Sequence, residues 1–207
     1  RFPLTEHRFP NGLTLLIAPD PDVPVLSYQT WVRAGSVDEE VPRTGIAHLF
    51  EHLMFKGTPK FPGKAFFTEL EAKGAEVNAQ PSRDFTQYFV VCAPHLLDRV
   101  AEMEADRLVN LTIDEGALTT ERAIVFEEMR LRIGNSPEGK MSEAIWRLAY
   151  AGHPYGTPVI GFPQDLARLT ADELLEFYRT RYQPANVTIV VTGNVDPARA
   201  IDVVGKW

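Results

Sequence analysis

The stretch Gly45-Ile46-Ala47-His48-Leu49-Phe50-Glu51-His52-Leu53-Met54-Phe55 carries two patterns at once. Ile46, Leu49, Phe50, Leu53 and Met54 recur at i, i+3, i+4, i+7 and i+8, the spacing of one helical face packed on a core. At about 100° per residue, His48, Glu51 and His52 fall on the arc opposite that stripe. Positions i and i+4 project from the same side of a helix, so both imidazoles can reach one metal ion. A pair of core histidines satisfied by backbone carbonyls is the ordinary alternative. It is disfavoured because both rings point away from the apolar stripe. Glu51, beside the second histidine, stands where a carboxylate can take a proton from a water activated by zinc. The order H-x-x-E-H inverts the commoner H-E-x-x-H.

A catalytic zinc site has three protein ligands and an open position, so the third ligand must come from another segment. Glu115 to Ile133 reads as a helix, with no proline and its one glycine, Gly116, in the first turn. Glu121 and Glu128 are two turns apart and nearly in line, flanked by Ile124 on one side and by Leu118, Val125 and Met129 on the other. Carboxylates within an apolar arc are costly to bury unless a cation or strong donors compensate them. Glu127 points about 100° away, towards a more polar side. The pattern nominates Glu128 as the third ligand and Glu121 as a carboxylate just behind the ligands. For Glu121 an ordinary half-exposed glutamate is the alternative.

On these residues the chain resembles the N-terminal part of a subunit from the pitrilysin, insulin-degrading enzyme and mitochondrial processing peptidase family. The matching segments are H-x-x-E-H and Glu121-Arg122-Ala123-Ile124-Val125-Phe126-Glu127-Glu128, at the family's spacing. They extend to Arg33-Ala34-Gly35-Ser36, His52-Leu53-Met54-Phe55-Lys56-Gly57-Thr58, Asn78-Ala79, His153-Pro154-Tyr155-Gly156 and Tyr182-Gln183-Pro184-Ala185-Asn186. The resemblance implies one Zn2+ per chain, held by His48, His52 and Glu128, with Glu51 as general base. It also implies that Asn78-Ala79-Gln80, on a short strand, pairs as a sheet edge with extended substrate backbone. An edge strand ended by Pro81, with no such role, is the alternative. Substrates would be peptides or unfolded segments enclosed between two homologous halves. The second half, on this reading absent after Trp207, would contribute further substrate contacts as a separate chain or a continuation. Residues 1–207 are then expected to be a single zinc-peptidase N-terminal domain.

Composition agrees with a globular protein: 207 residues, 44% apolar and 24% charged. A net charge of −7 and the lack of a basic run argue against nucleic-acid binding. The single Cys92 rules out an internal disulfide and sits in an apolar run that predicts burial. No apolar stretch approaches the ~18 residues of a membrane span. The chain begins at Arg1 rather than methionine, which implies processing or trimming and leaves the compartment open.

Strands are expected at 13–18, 25–33, 76–80, 86–92 and 186–192. Helices are expected at the motif and at 65–73, 94–109, 115–133, 137–150 and 171–181. Strands grouped early and helices later predict an α+β fold, which the resemblance makes a two-layer domain with a mainly antiparallel sheet covered by helices. His95, at a helix start, is expected as a surface or capping residue, and His153, in a turn-like segment, matches the family by position, which does not make it a ligand. Two other functions compete with a zinc endopeptidase. A non-catalytic assembly subunit would be expected to lack the metal motif, which is intact here. A structural zinc domain needs a closed four-ligand site, and no second Cys or His cluster supplies one.

Overall fold

A computed structural model of the chain describes residues 3–207. Its sheet is built from β1 (Thr5–Arg8), β2 (Thr14–Pro19), β3 (Leu26–Val32), β4 (Glu76–Pro81), β5 (Thr86–Cys92) and β6 (Val187–Gly193). The strand order is β1-β2-β6-β3-β5-β4, antiparallel except for β2 beside β6. The helices are α1 (Ile46–Leu53), α2 (Ala65–Glu71), α3 (Leu97–Asn110), α4 (Glu115–Met129), α5 (Pro137–Ala149), α6 (Pro163–Leu166), α7 (Ala171–Arg181) and α8 (Pro197–Lys206). This is the α+β arrangement that the grouping of elements predicts. None of the described helices is long and apolar enough to cross a membrane.

Period-2 alternation puts one sheet face in the core. Leu26, Tyr28, Thr30 and Val32 of β3 are buried, as are Thr86, Tyr88, Val90 and Cys92 of β5 and Val187, Ile189 and Val191 of β6, while the residues between them are partly exposed. Helices cover the buried face. The apolar stripe of α1 faces this core as its spacing requires: Phe50 stacks on Tyr178 of α7, with ring centroids 5.5 Å apart, and meets Tyr182 at 4.7 Å. Cys92 is buried and unpaired.

Two strand features bear on function. β4 lies at the sheet edge, paired only with β5, as its weak apolar pattern suggests. The turn after it is clamped on both sides. Val37 N–H donates to Arg83 O at 2.8 Å, and a Cβ on Gly35 would lie 2.4 Å from that same oxygen, so only glycine permits the approach. On the other side Arg83 stacks over Trp146 of α5 at 3.5 Å and donates through Nε to Tyr155 O.

A surface network joins α2 to α3. Arg99 Nη2 and Nε reach the two oxygens of Glu69 at 2.6 and 2.7 Å, and Nη1 reaches Glu102. The Arg99 guanidinium, helped by Lys73, pulls the Glu69 carboxyl down from 4.5 to about 2. A depressed folded value means that this stabilisation is present above pH about 4.5 and is lost as pH falls towards 2. Arg99→Met should therefore flatten the acid limb of stability. Melting wild type and variant between about pH 5 and pH 2 tests this; an equal loss in both would show the network is inert.

Candidate active site

α1 begins at Gly45, whose φ of 85° is open to glycine and strained for other residues. The place is crowded as well: a Cβ on Gly161 would stand 2.4 Å from Gly45 Cα, so the two backbones cross in contact. From this start the helix presents His48, Glu51 and His52 to α4, which runs alongside it, and to the exposed edge of β4.

His48, His52 and Glu128 converge there. Glu128 Oε1 lies 3.4 Å from His48 Nε2, and Glu128 Oε2 lies 3.4 Å from His52 Nε2. One donor atom from each of the three residues falls within 4.8 Å of the others. Two imidazole nitrogens and a carboxylate oxygen are a donor set suited to zinc, so the residues present fit that ion. His48 is buried, at 4% exposure, but it faces α4 and the cleft rather than the apolar core.

Glu121 sits behind this group, at 3% exposure. Its Oε2 lies 3.1 Å from His52 Nδ1, and its Oε1 pairs with Lys56. A carboxylate on Nδ1 makes that nitrogen the donor and leaves Nε2 bare, the tautomer a metal ligand needs. Burial alone would raise the Glu121 carboxyl, but His52 and Lys56 more than offset it and hold it below 4.5. Glu128 is likewise held low, chiefly by His48, with Arg132 Nη1 at 2.9 Å from Oε1. Burial would lower His52, but Glu121, Glu51 and Glu128 raise it.

Glu51 differs from these carboxylates. Its Oε2 is 3.8 Å from His52 Nε2, on the same side of the helix, and burial pushes its pKa up. A carboxyl raised in this way is better matched to accepting a proton near neutral pH. A cleft of about 640 Å³ opens over these atoms. Asn78, Ala79 and Gln80 of β4 line it on one side, with Ser142, Glu143 and Trp146 of α5 elsewhere in its wall. Asn78 and Gln80 are exposed and Ala79 is half-buried. Asn78 Oδ1 takes the Ala79 N–H at 2.9 Å, within the edge strand itself. A separate apolar hollow of about 320 Å³, walled by Tyr28, Leu108, Val187 and Trp207 among others, offers no histidine or carboxylate among the described residues.

The remaining candidates fall outside the donor group. Glu127 is exposed and pairs with Arg130, so it stands apart from the cleft. His95 is exposed, and His153 caps a short turn by accepting Tyr155 N–H on Nδ1; neither belongs to the donor group. The expected helix at 115–133 stops being α at Met129 and continues as a π turn, Arg130–Gly134, which places Arg132 in the cleft. Sequence reasoning misses Lys56 and Arg132 as partners of the acidic residues. Lys56 has a simple signal, since it lies one helical turn past His52 on the same side.

The sequence matches the family described as insulinase (peptidase family M16) over residues 15–161, and the peptidase M16 inactive domain over residues 168–207. It is 32% identical over 197 residues to the zinc protease PqqE of Helicobacter pylori, covering 95% of this chain and 44% of that protein. The crystal structure of a protease from Helicobacter pylori superposes with a TM-score of 0.96 at 30% identity, covering 99% of this chain and 50% of that one. The first half of the periplasmic protease PqqL from Escherichia coli gives 0.90 at 27% identity, covering 98% and 45%. The chain spans about half the length of the curated relatives it matches. With more than half of its residues in one family match, and the inverted motif inside that match, the chain belongs to the insulinase family of zinc proteases, peptidase family M16.

Proposed function

We propose that the chain is the zinc-binding half of an endopeptidase that hydrolyses peptides or unfolded segments. The observation that carries this reading is the meeting of His48, His52 and Glu128 in a cleft that also holds Glu51 and an open strand edge. The three residues would hold one zinc ion. Bound there, zinc would polarise the scissile carbonyl and make a water acidic enough to attack it near neutral pH. Glu51 takes the proton of that attacking water on its carboxylate and returns it to the leaving amine. Glu121 holds His52 by Nδ1 so that Nε2 stays free of a proton. Main-chain groups of β4 pair with extended substrate, a mode that tolerates varied side chains; Asn78 would yield the Ala79 N–H to a substrate carbonyl. A non-catalytic assembly role is disfavoured because each residue of the set is kept. The reading also makes residues 1–207 one domain, whose homologous counterpart closes the cleft as a continuation or a second subunit.

The metal assignment has a direct test. The purified chain should carry one zinc, and Glu128→Gln should lose it under mild chelation, because a neutral amide oxygen is a far weaker ligand than a carboxylate. Elemental analysis after dialysis against a chelator decides. Full zinc occupancy in the variant would remove Glu128 from the ligand set.

A further inference from the structure

Each candidate histidine ligand needs something to fix its ring, and the two are served differently. His52 is held through its side chain, by Glu121 at Nδ1. His48 Nδ1 is buried and has no hydrogen-bond partner among the described residues. A metal-binding histidine ordinarily donates that second nitrogen to a neighbouring acceptor, which sets its orientation. For His48 the orientation must come from the backbone that carries it. His48 is the third residue of α1, in a first turn whose N–H groups have no intrahelical partner, and Gly45, at the cap position, has no side chain to serve them.

One acid from elsewhere takes that role, and a second anchors Thr44, the residue before the cap. Glu39 accepts Gly45 N–H on Oε2 and Ala47 N–H on Oε1, each at 2.8 Å. Asp165, 1% exposed, accepts the Thr44 hydroxyl at 2.7 Å and Thr44 N–H at 3.4 Å, while that hydroxyl accepts Phe162 N–H at 2.9 Å. A carboxyl group whose two oxygens span two backbone N–H groups sets rotation as well as position. Burial pushes the Glu39 carboxyl up to about 8, and its two N–H bonds partly offset that cost.

We propose that Glu39 is a positioning residue for zinc binding, fixing His48 through the backbone of α1 as Glu121 fixes His52 through its ring. This rests on the zinc reading above. Removing the clasp frees the first turn that carries His48 and leaves the Glu121 side intact. Loss of such an outer partner typically costs 10–100-fold in metal affinity.

The test uses Glu39→Gln and Glu39→Ala. The glutamine keeps the shape but turns an N–H donor towards one of the two N–H groups. Zinc affinity by chelator competition should fall at least tenfold in both, and the cobalt-substituted absorption spectrum should change. Val100→Ala in α3, a buried core position that does not line the cleft, should lower the melting temperature without moving either readout. Hydrogen exchange of the Gly45 and Ala47 amides in metal-free protein should speed up in the Glu39 variants relative to Val100→Ala. Zinc affinity within twofold of wild type, or unchanged exchange at those two amides, would overturn the proposal. If wild type itself bound no zinc, the zinc reading and the proposed role would both fall, and exchange at the two amides would report only on the clasp.

Discussion

Glu51→Gln should leave zinc bound and remove most peptidase activity. The amide is nearly the same shape as the carboxyl, and Glu51 is not among the three proposed ligands, so the donor set survives the change. What is lost is the one carboxyl among the described residues that combines a raised pKa with a place beside the donors. Removal of a general base typically costs 10²–10⁴-fold in rate. The measurement pairs zinc content with turnover of an unstructured peptide by the chain together with its homologous half. Near-normal turnover with zinc retained would show that another group takes the proton.

Turnover by this chain alone should be poor, although it binds zinc. A polarised carbonyl and an activated water react fast only when the peptide is held in attack geometry, and such positioning contributes several kcal/mol. Here the holding surface is the edge of β4 and the wall of α5. Adding a homologous second half, joined or separate, should raise cleavage of a quenched fluorescent peptide by orders of magnitude. Full activity from this chain by itself, abolished by Glu51→Gln so that contamination is excluded, would mean that closure by a second half is unnecessary.

Local periodicity makes part of the site legible in the sequence. The stripe of α1 and the opposing His48, Glu51 and His52 follow from helical geometry within one short segment, and Glu121 with Glu128 from the same geometry in α4. That geometry also separates Glu128 from Glu127, which turns to solvent beside Arg130. Contacts between distant segments leave no such trace. The Glu39 clasp depends on the loop before α1 folding back, and Asp165 arrives from far along the chain; neither has a spacing that would reveal it. The parallel pairing of β2 with β6 is of the same kind. The short β1, Thr-Glu-His-Arg, has no apolar alternation to mark it. The π turn after Met129 is hidden because its residues continue a helical pattern that only packing interrupts, where a Cβ on Gly139 of α5 would lie 2.0 Å from Arg132 O.

An edge strand left open for substrate is also an opening for the wrong chain. Unpaired main-chain groups in a row can recruit a neighbouring copy and begin cross-chain sheet growth, so such edges are usually guarded. β4 carries three guards. Glu76 puts an exposed charge at its start, Pro81 closes its end with no N–H to give, and Asn78 occupies the Ala79 N–H between them. Short and interrupted in this way, the edge suits a ligand that is steered in by the cleft and discourages one that merely collides with it. Colloidal behaviour and catalysis thus place opposite demands on the same six residues, and changes at Asn78 or Pro81 made to loosen specificity would be paid for in aggregation.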